Sequence, residues 1–206
     1  MKNINYYLIL AAILFSLSSC VKKINGCTDP EALNYKKEAN NDDGSCRYLT
    51  IGQNYNGGKI AYIFQSYDNG YVAGQKHGLI VATADQSAGA PWGCTDISIT
   101  GAQNTGVGTG NQNTMAIVAG CSTAGTAARI CSDLVLEGYS DWYLPSLDDL
   151  DMIYINKDAI GGFSNGYYWT SSEEIGEAWS MNFGGSFDMS IDTKDSYHYV
   201  RAVRSF

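Results

Sequence analysis

The chain has 206 residues, 45% of them hydrophobic, with 23 Gly, 15 Tyr and 3 Pro. That composition excludes a disordered or fibrous chain and leaves room for one domain of about 150 residues, burying roughly 70% of its unfolded surface. With 13 Lys and Arg against 21 Asp and Glu the net charge is -8, which argues against nucleic acid or another polyanion as the main ligand, because phosphate or sulfate binding needs a basic footprint.

Residues 1–19 carry Lys2 and then a mostly apolar run over 6–17. The run is short for a bilayer span and has the form of a signal peptide. Leu17-Ser18-Ser19-Cys20 resembles a bacterial lipobox, which makes Cys20 the expected acylated first residue of a mature outer-membrane lipoprotein and residues 20–25 a tether. Several acyl chains on one cysteine anchor a protein stably, where a single chain would be marginal. No acidic run follows Cys20, so the sequence leaves open whether the protein faces the periplasm or the cell surface.

Residues 26–48, GCTDPEALNYKKEANNDDGSCRY, read as a separate small module bracketed by Cys27 and Cys46, a pair that an oxidising compartment would join. So few residues hardly fold without such a staple. The stretch resembles a repeat of secreted bacteroidete proteins that serves as a stalk. Its Asn-Asn-Asp-Asp-Gly segment groups oxygen donors at a glycine turn, and Asp42 and Asp43 are the candidate ligands should a calcium ion bind. The spacing is not that of an EF-hand. A solvated acidic turn is the favoured reading, and no cofactor is expected.

The main domain, residues 51–206, is expected to open with strands over 59–64 and 79–84, separated by the Asp68-Asn69-Gly70 turn. His77 and His198 are too far apart in sequence to form a pair, and each is read as structural. Residues 88–110 are glycine-rich and read as a long loop with one short strand over 97–100. Asn113 or Thr114 is expected to cap a short helix, and Thr123 or Thr126 to start another that runs to Glu137 with Cys131 on its apolar face. Cys94, Cys121 and Cys131 permit three pairings and the sequence does not choose among them; Cys94 with Cys121, both at loop positions, is preferred.

Gly138 then suits a helix-closing left-handed position. After the turn 139–141 come Trp142-Tyr143-Leu144 and Pro145; Ser146 with Asp149 three residues on forms a capping box for a helix whose Leu147, Leu150, Ile153 and Tyr154 make one apolar stripe. The glycine runs 106–110 and 162–166 match the outlines of a phosphate loop and of a nucleophile elbow. Neither has the flanking elements its chemistry needs, so both are read as turns. The last third is β-rich, with strands over 167–170, 178–183, 187–191 and 199–206 separated by Gly-Glu, Gly-Gly and Asp-Lys-Asp turns. The final strand brings Arg201 and Arg204 to the core, and Asp141, beside the Trp142 and Pro145 anchor, is the expected partner of a buried arginine.

Taken together, GYSDWYLPS followed by DDL, the downstream YYWTSSE, the terminal YVRAVRSF and the opening NYNGGKIAYIF and HGLIVATAD resemble the Legionella collagen-like protein C-terminal domain family. The resemblance covers roughly residues 51–206. It implies an α+β, C-type-lectin-like fold: a curled antiparallel sheet, two or three helices, and first and last strands paired. That fold is similar to the one of formylglycine-generating enzymes, but their oxygen chemistry uses cysteines late in the chain and none follows Cys131 here. The family's association with sulfated glycans conflicts with the acidic balance. No His-Glu-x-x-His, CxxC or convincing nucleophile triad occurs, and an enzyme is not expected. The implied function is non-catalytic adhesion or ligand binding at the envelope, to a glycan or a protein. Trp92, Tyr167, Tyr168, Ser171, Ser172 and Glu173 are the candidate contacts. The alternative is a structural envelope component, and more remotely a hydrolase with an unrecognised site.

Overall fold

The computed structural model describes residues 21–206, so the signal peptide expected over 1–19 and the acylation expected at Cys20 lie outside the described residues. The chain divides into two compact units, one ending at Tyr48 and one spanning Leu49–Phe206. In the first, strands β1 (Asn25–Gly26) and β2 (Asn41–Asp42) pair in parallel and a Cys27–Cys46 disulfide closes the unit. A crosslink over a sequence separation of 19 contributes about 3 kcal/mol by loop-entropy reasoning. Asp42 accepts from Gly44 N at 3.0 Å and Asp43 from Ser45 N at 3.1 Å. Both acids therefore fold the turn.

The second unit is α+β, with two sheets and helices packed against them. Strand β4 (Gly58–Ile63) pairs with β3 (Asn54–Tyr55) on one side and β5 (Gly78–Val81) on the other; β11 (Val203–Ser205) completes this sheet in the order β11-β5-β4-β3. The other sheet runs β6 (Ser87–Ala90), β10 (His198–Val200), β7 (Tyr167–Glu174), β8 (Glu177–Asn182), β9 (Met189–Asp192). The expected pairing of first and last strands is thus corrected: both edges of β4 are taken, so the last strand adds to the free side of β5. The ends still meet, because the Phe206 ring packs edge-on against Tyr55 at 5.2 Å. The terminal strand also breaks at Arg201-Ala202, and its two halves join the two sheets.

Helix α1 (Gly110–Gly120) starts three to four residues before the expected caps. Asn113 and Thr114 are buried within it and bond outward instead, Asn113 to Asn104 O and Thr114 Oγ1 to the backbone of Leu144. Helix α2 (Ala127–Ser132) stops well short of Glu137. Glu137 and Gly138 both have left-handed backbone (φ 53° and 81°) in a tight turn whose Leu136 and Tyr139 exchange 3.0 Å backbone bonds, so Gly138 closes a hairpin and not a helix. Residues 97–100 form no strand, whereas small-residue β6 does, antiparallel to β10.

The segment 142–155 matches its reading. Ser146 Oγ accepts from Asp149 N at 3.1 Å while Asp149 accepts from Ser146 N at 3.0 Å, a capping box that starts α3 (Leu147–Ile155). Leu147, Leu150 and Ile153 bury their stripe against Leu79, Val81, Met181 and Phe183, with the short helix α4 (Lys157–Ile160) after them. On the other side Trp142 and Leu144 join Trp92, Trp169, Ile80 and Val200 in a second apolar cluster. Cys131 is buried there as a free thiol, and Cys94–Cys121 is the disulfide of this unit.

Arg204 forks onto Asp141, Nε to Oδ1 at 2.7 Å and Nη2 to Oδ2 at 2.8 Å. Arg201 takes a different acid: its Nε donates to Asp85 at 2.7 Å, and its other nitrogens donate to Ala82 O and Gly162 O. The bond from Arg204 holds the Asp141 carboxyl below the usual carboxylate range. A lowered folded pKa gives stability that is present above the unfolded value of about 3.9 and lost as pH falls through the folded one. Asp141→Asn is therefore expected to flatten the acid limb of the stability curve between about pH 5 and pH 3. Urea midpoints across that range check this; an unchanged acid slope contradicts it.

Candidate functional site

Five of the six residues expected to contact ligand are core. Trp92 is 0% exposed and its indole N–H donates to Thr170 O at 2.8 Å. Tyr168, Ser171, Ser172 and Glu173 are buried as well, and Tyr167 is half-buried with its hydroxyl on Asp188 at 2.5 Å. The cause is the placement of β7. It lies inside its sheet between β10 and β8, with α1 and α3 against it, so both faces of YYWTSSE are covered. Period-two alternation reveals a solvent face only where one exists.

These residues frame a site instead of lining it. Glu173 accepts from Ile99 N at 2.8 Å, Ser98 Oγ at 3.2 Å and Gln103 Nε2 at 2.6 Å, and it pairs with the ammonium of Lys194. Lys194 is 1% exposed; it also donates to Ile97 O at 2.6 Å and sits 4.5 Å from the centre of the Trp92 ring. This buried knot ties the loop 95–98 to the β9–β10 turn and to the end of β7.

Above it lies an open depression of about 770 Å³, lined by Thr95, Asp96 and Ser98, by Ile175, Gly176 and Glu177, and by Thr193, Lys194 and Asp195. Thr95, Asp96, Glu177 and Asp195 are exposed, and their side chains bond to no described residue. Ile175 projects beside them, 91% exposed at the β7–β8 turn. Asp96 and Ile175 have left-handed backbone (φ 60° and 43°), a conformation costly for non-glycine residues, above all a β-branched one, and concentrated at functional loops. With Lys194 neutralised by Glu173, the lining presents three carboxylates. Its chemistry favours a neutral or cationic ligand with hydroxyl or amine donors. The sequence had marked these stretches only as Gly-Glu and Asp-Lys-Asp turns; Lys194, the residue that fixes them, carried no signal of burial.

A second depression of about 410 Å³ lies between residues 54–58, Thr83 and Glu137. Asn56 and Glu137, at its rim, complete the set of described non-glycine residues with positive φ.

Other candidate chemistry resolves into structure. Gly108 N donates to Asp149 at 2.7 Å, so the anion facing the glycine run before α1 is an internal carboxylate. Ser164 of the Gly-Phe-Ser-Asn-Gly segment donates to Asp85 at 2.9 Å, with no histidine beside it. His198 bonds to Asp192 at 3.0 Å and packs 4.3 Å from Trp169, while His77 contacts Phe206 O at 2.8 Å. Burial raises the Cys131 thiol well above its ordinary range, away from nucleophilic use. Among the described residues no group of three or more His, Cys, Asp or Glu is placed to hold a metal ion.

No curated protein matches the chain. The family model described as the Lcl C-terminal domain matches residues 82–204, a stretch that begins as β5 ends and runs into β11. That stretch is more than half of the chain and holds both buried arginines, the Ser146 capping box and every residue of the larger depression, and on this evidence the chain belongs to the Lcl C-terminal domain family.

Proposed function

We propose that this protein is a non-catalytic, C-type-lectin-like binding module of the cell envelope, held on the outer membrane through acylated Cys20 and a short disulfide-closed stalk, and that its glycan or protein ligand seats in the larger depression. The observation that carries this reading is the unpaired, carboxylate-rich lining over a buried Glu173–Lys194 base. Its volume of about 770 Å³ lies within the range of ligand sites, roughly 300–1,000 Å³. A rigid base matters because side chains held before binding lose less freedom on contact. Exposed Ile175 supplies the apolar contact, and Asp96, Glu177 and Asp195 accept from ligand hydroxyl or amine groups. Sulfated ligands are disfavoured by the same three charges. No described helix is long and apolar enough to cross a membrane, so attachment in this reading rests on the lipid.

The test uses residues 21–206 on a glycan array and against envelope proteins, each with and without chelator. Binding is expected to fall at least tenfold in the Glu177→Gln/Asp195→Asn double variant, with an unchanged unfolding midpoint. Blank arrays under both conditions remove the sugar ligand, and binding that the double variant leaves intact removes this site.

A further inference from the structure

We propose that the smaller depression is a second binding site, for a neutral saccharide unit. It is lined by Asn54, Tyr55, Asn56, Gly57, Gly58, Thr83 and Glu137. The side chains of Asn54, Asn56, Thr83 and Glu137 are exposed and bond to no described residue, so two carboxamides, a hydroxyl and a carboxylate converge unpaired on one cavity. The Tyr55 hydroxyl has no described partner either. Such a set offers donors and acceptors in near balance, and carboxamide and carboxylate groups each span the two hydroxyls of a vicinal diol.

The same lining rejects other classes. No Lys or Arg lines the cavity: Arg204 is forked onto Asp141, and the Lys59 ammonium is turned to Ile160 O. With one carboxylate and no cation in the lining, phosphate, sulfate and carboxylate ligands meet no counter-charge there. A peptide needs an apolar pocket for an anchoring side chain, and apart from Tyr55 the lining is polar.

The two turns that carry these groups are locked to each other. Arg204 Nη1 donates to Asn56 O at 3.1 Å and its guanidinium stacks 3.9 Å from the Tyr139 ring, in the turn that holds Glu137. Gly57 lies so close to that ring that a Cβ there would come within 2.7 Å of it. Asn56 and Glu137 hold left-handed backbone at φ 42° and 53° without being glycine. The cavity is therefore formed before any ligand arrives, and its size suits one or two sugar rings.

Nitrogen-15-labelled residues 21–206, titrated separately with glucose, galactose and N-acetylglucosamine to tens of millimolar, test the site. For at least one sugar, amides 55–58, 83 and 137–139 are expected to shift saturably with a dissociation constant on the order of 1 mM. Glu137→Gly removes the carboxylate while relieving its φ, so folding is preserved. The shifts should vanish in it and persist in Glu177→Gln/Asp195→Asn, which separates this site from the larger depression. Absence of shifts with all three sugars overturns the proposal. So do shifts that survive Glu137→Gly combined with Asn54→Ala, or stronger shifts of the same amides with a sulfated disaccharide.

Discussion

Lys194→Met is expected to lower the unfolding free energy by about 3–5 kcal/mol, the cost of leaving one half of a buried ion pair without the other. Glu173 is 1% exposed and would keep its bonds from Ile99, Ser98 and Gln103, but these are neutral donors around a full charge. Methionine fills the apolar stem of lysine and little else changes, so packing loss contributes a minor share. Two of the three ammonium protons are placed, one on Glu173 and one on Ile97 O, and the group lies 4.5 Å from the Trp92 ring centre. Adding Glu173→Gln should recover a large part of the loss, because a neutral amide at that position costs far less to bury than an unpaired carboxylate. Urea unfolding of the two single variants and the double closes the cycle. A loss below about 1 kcal/mol for Lys194→Met would mean that water reaches the pair, and the rigid base assigned to the larger depression would go with it.

What the sequence made legible was what neighbours in the chain determine. The capping box of Ser146 and Asp149, the stripe Leu147-Leu150-Ile153 and the hairpin of β4 and β5 need no knowledge of the rest of the fold. Arg204 found Asp141 because one acid stood beside a tryptophan anchor. Where the outcome depended on distant elements, the reading failed in a consistent direction. Tyr168 and Glu173 looked available because nothing local says that β7 is covered on both faces, nor that Trp92 is one of the residues packed against it. β6 was missed because Ser-Ala-Gly-Ala has no strand preference, and it forms only because β10 offers an edge. Lys194 read as the middle of a charged turn, although its burial is decided by Glu173, 21 residues earlier, and by a loop 97 residues away. Site residues suffered most, since both depressions are assembled from loop tips that meet only in the folded chain.

The other large effect is expected at Asp149, where one side chain serves two helices. Its carboxylate accepts from Ser146 N at the start of α3 and from Gly108 N ahead of α1, and it packs so tightly under Gly110 that a Cβ there would lie 2.8 Å from it. Asp149→Ala strands two buried N–H groups, that of Ser146 in the capping box and that of Gly108, each at about 1–3 kcal/mol, for a total near 4 kcal/mol. Asp149→Asn keeps one accepting oxygen but turns an N–H₂ toward the other donor, so it should recover little. The pH dependence has a definite sign. Burial, outweighing the bonds from Gly108 and Ser146, raises the Asp149 pKa above its unfolded value. The stability linked to its protonation is then fully present below about pH 3.9 and is lost as pH rises through the folded pKa, so the gap between the native chain and Asp149→Ala should narrow from acid toward neutral pH. Thermal and urea unfolding of both chains at several pH values measures that gap. A gap that widens with pH would show that the backbone donors outweigh burial, and that α1 and α3 are held by a carboxylate stabilised in its charged form.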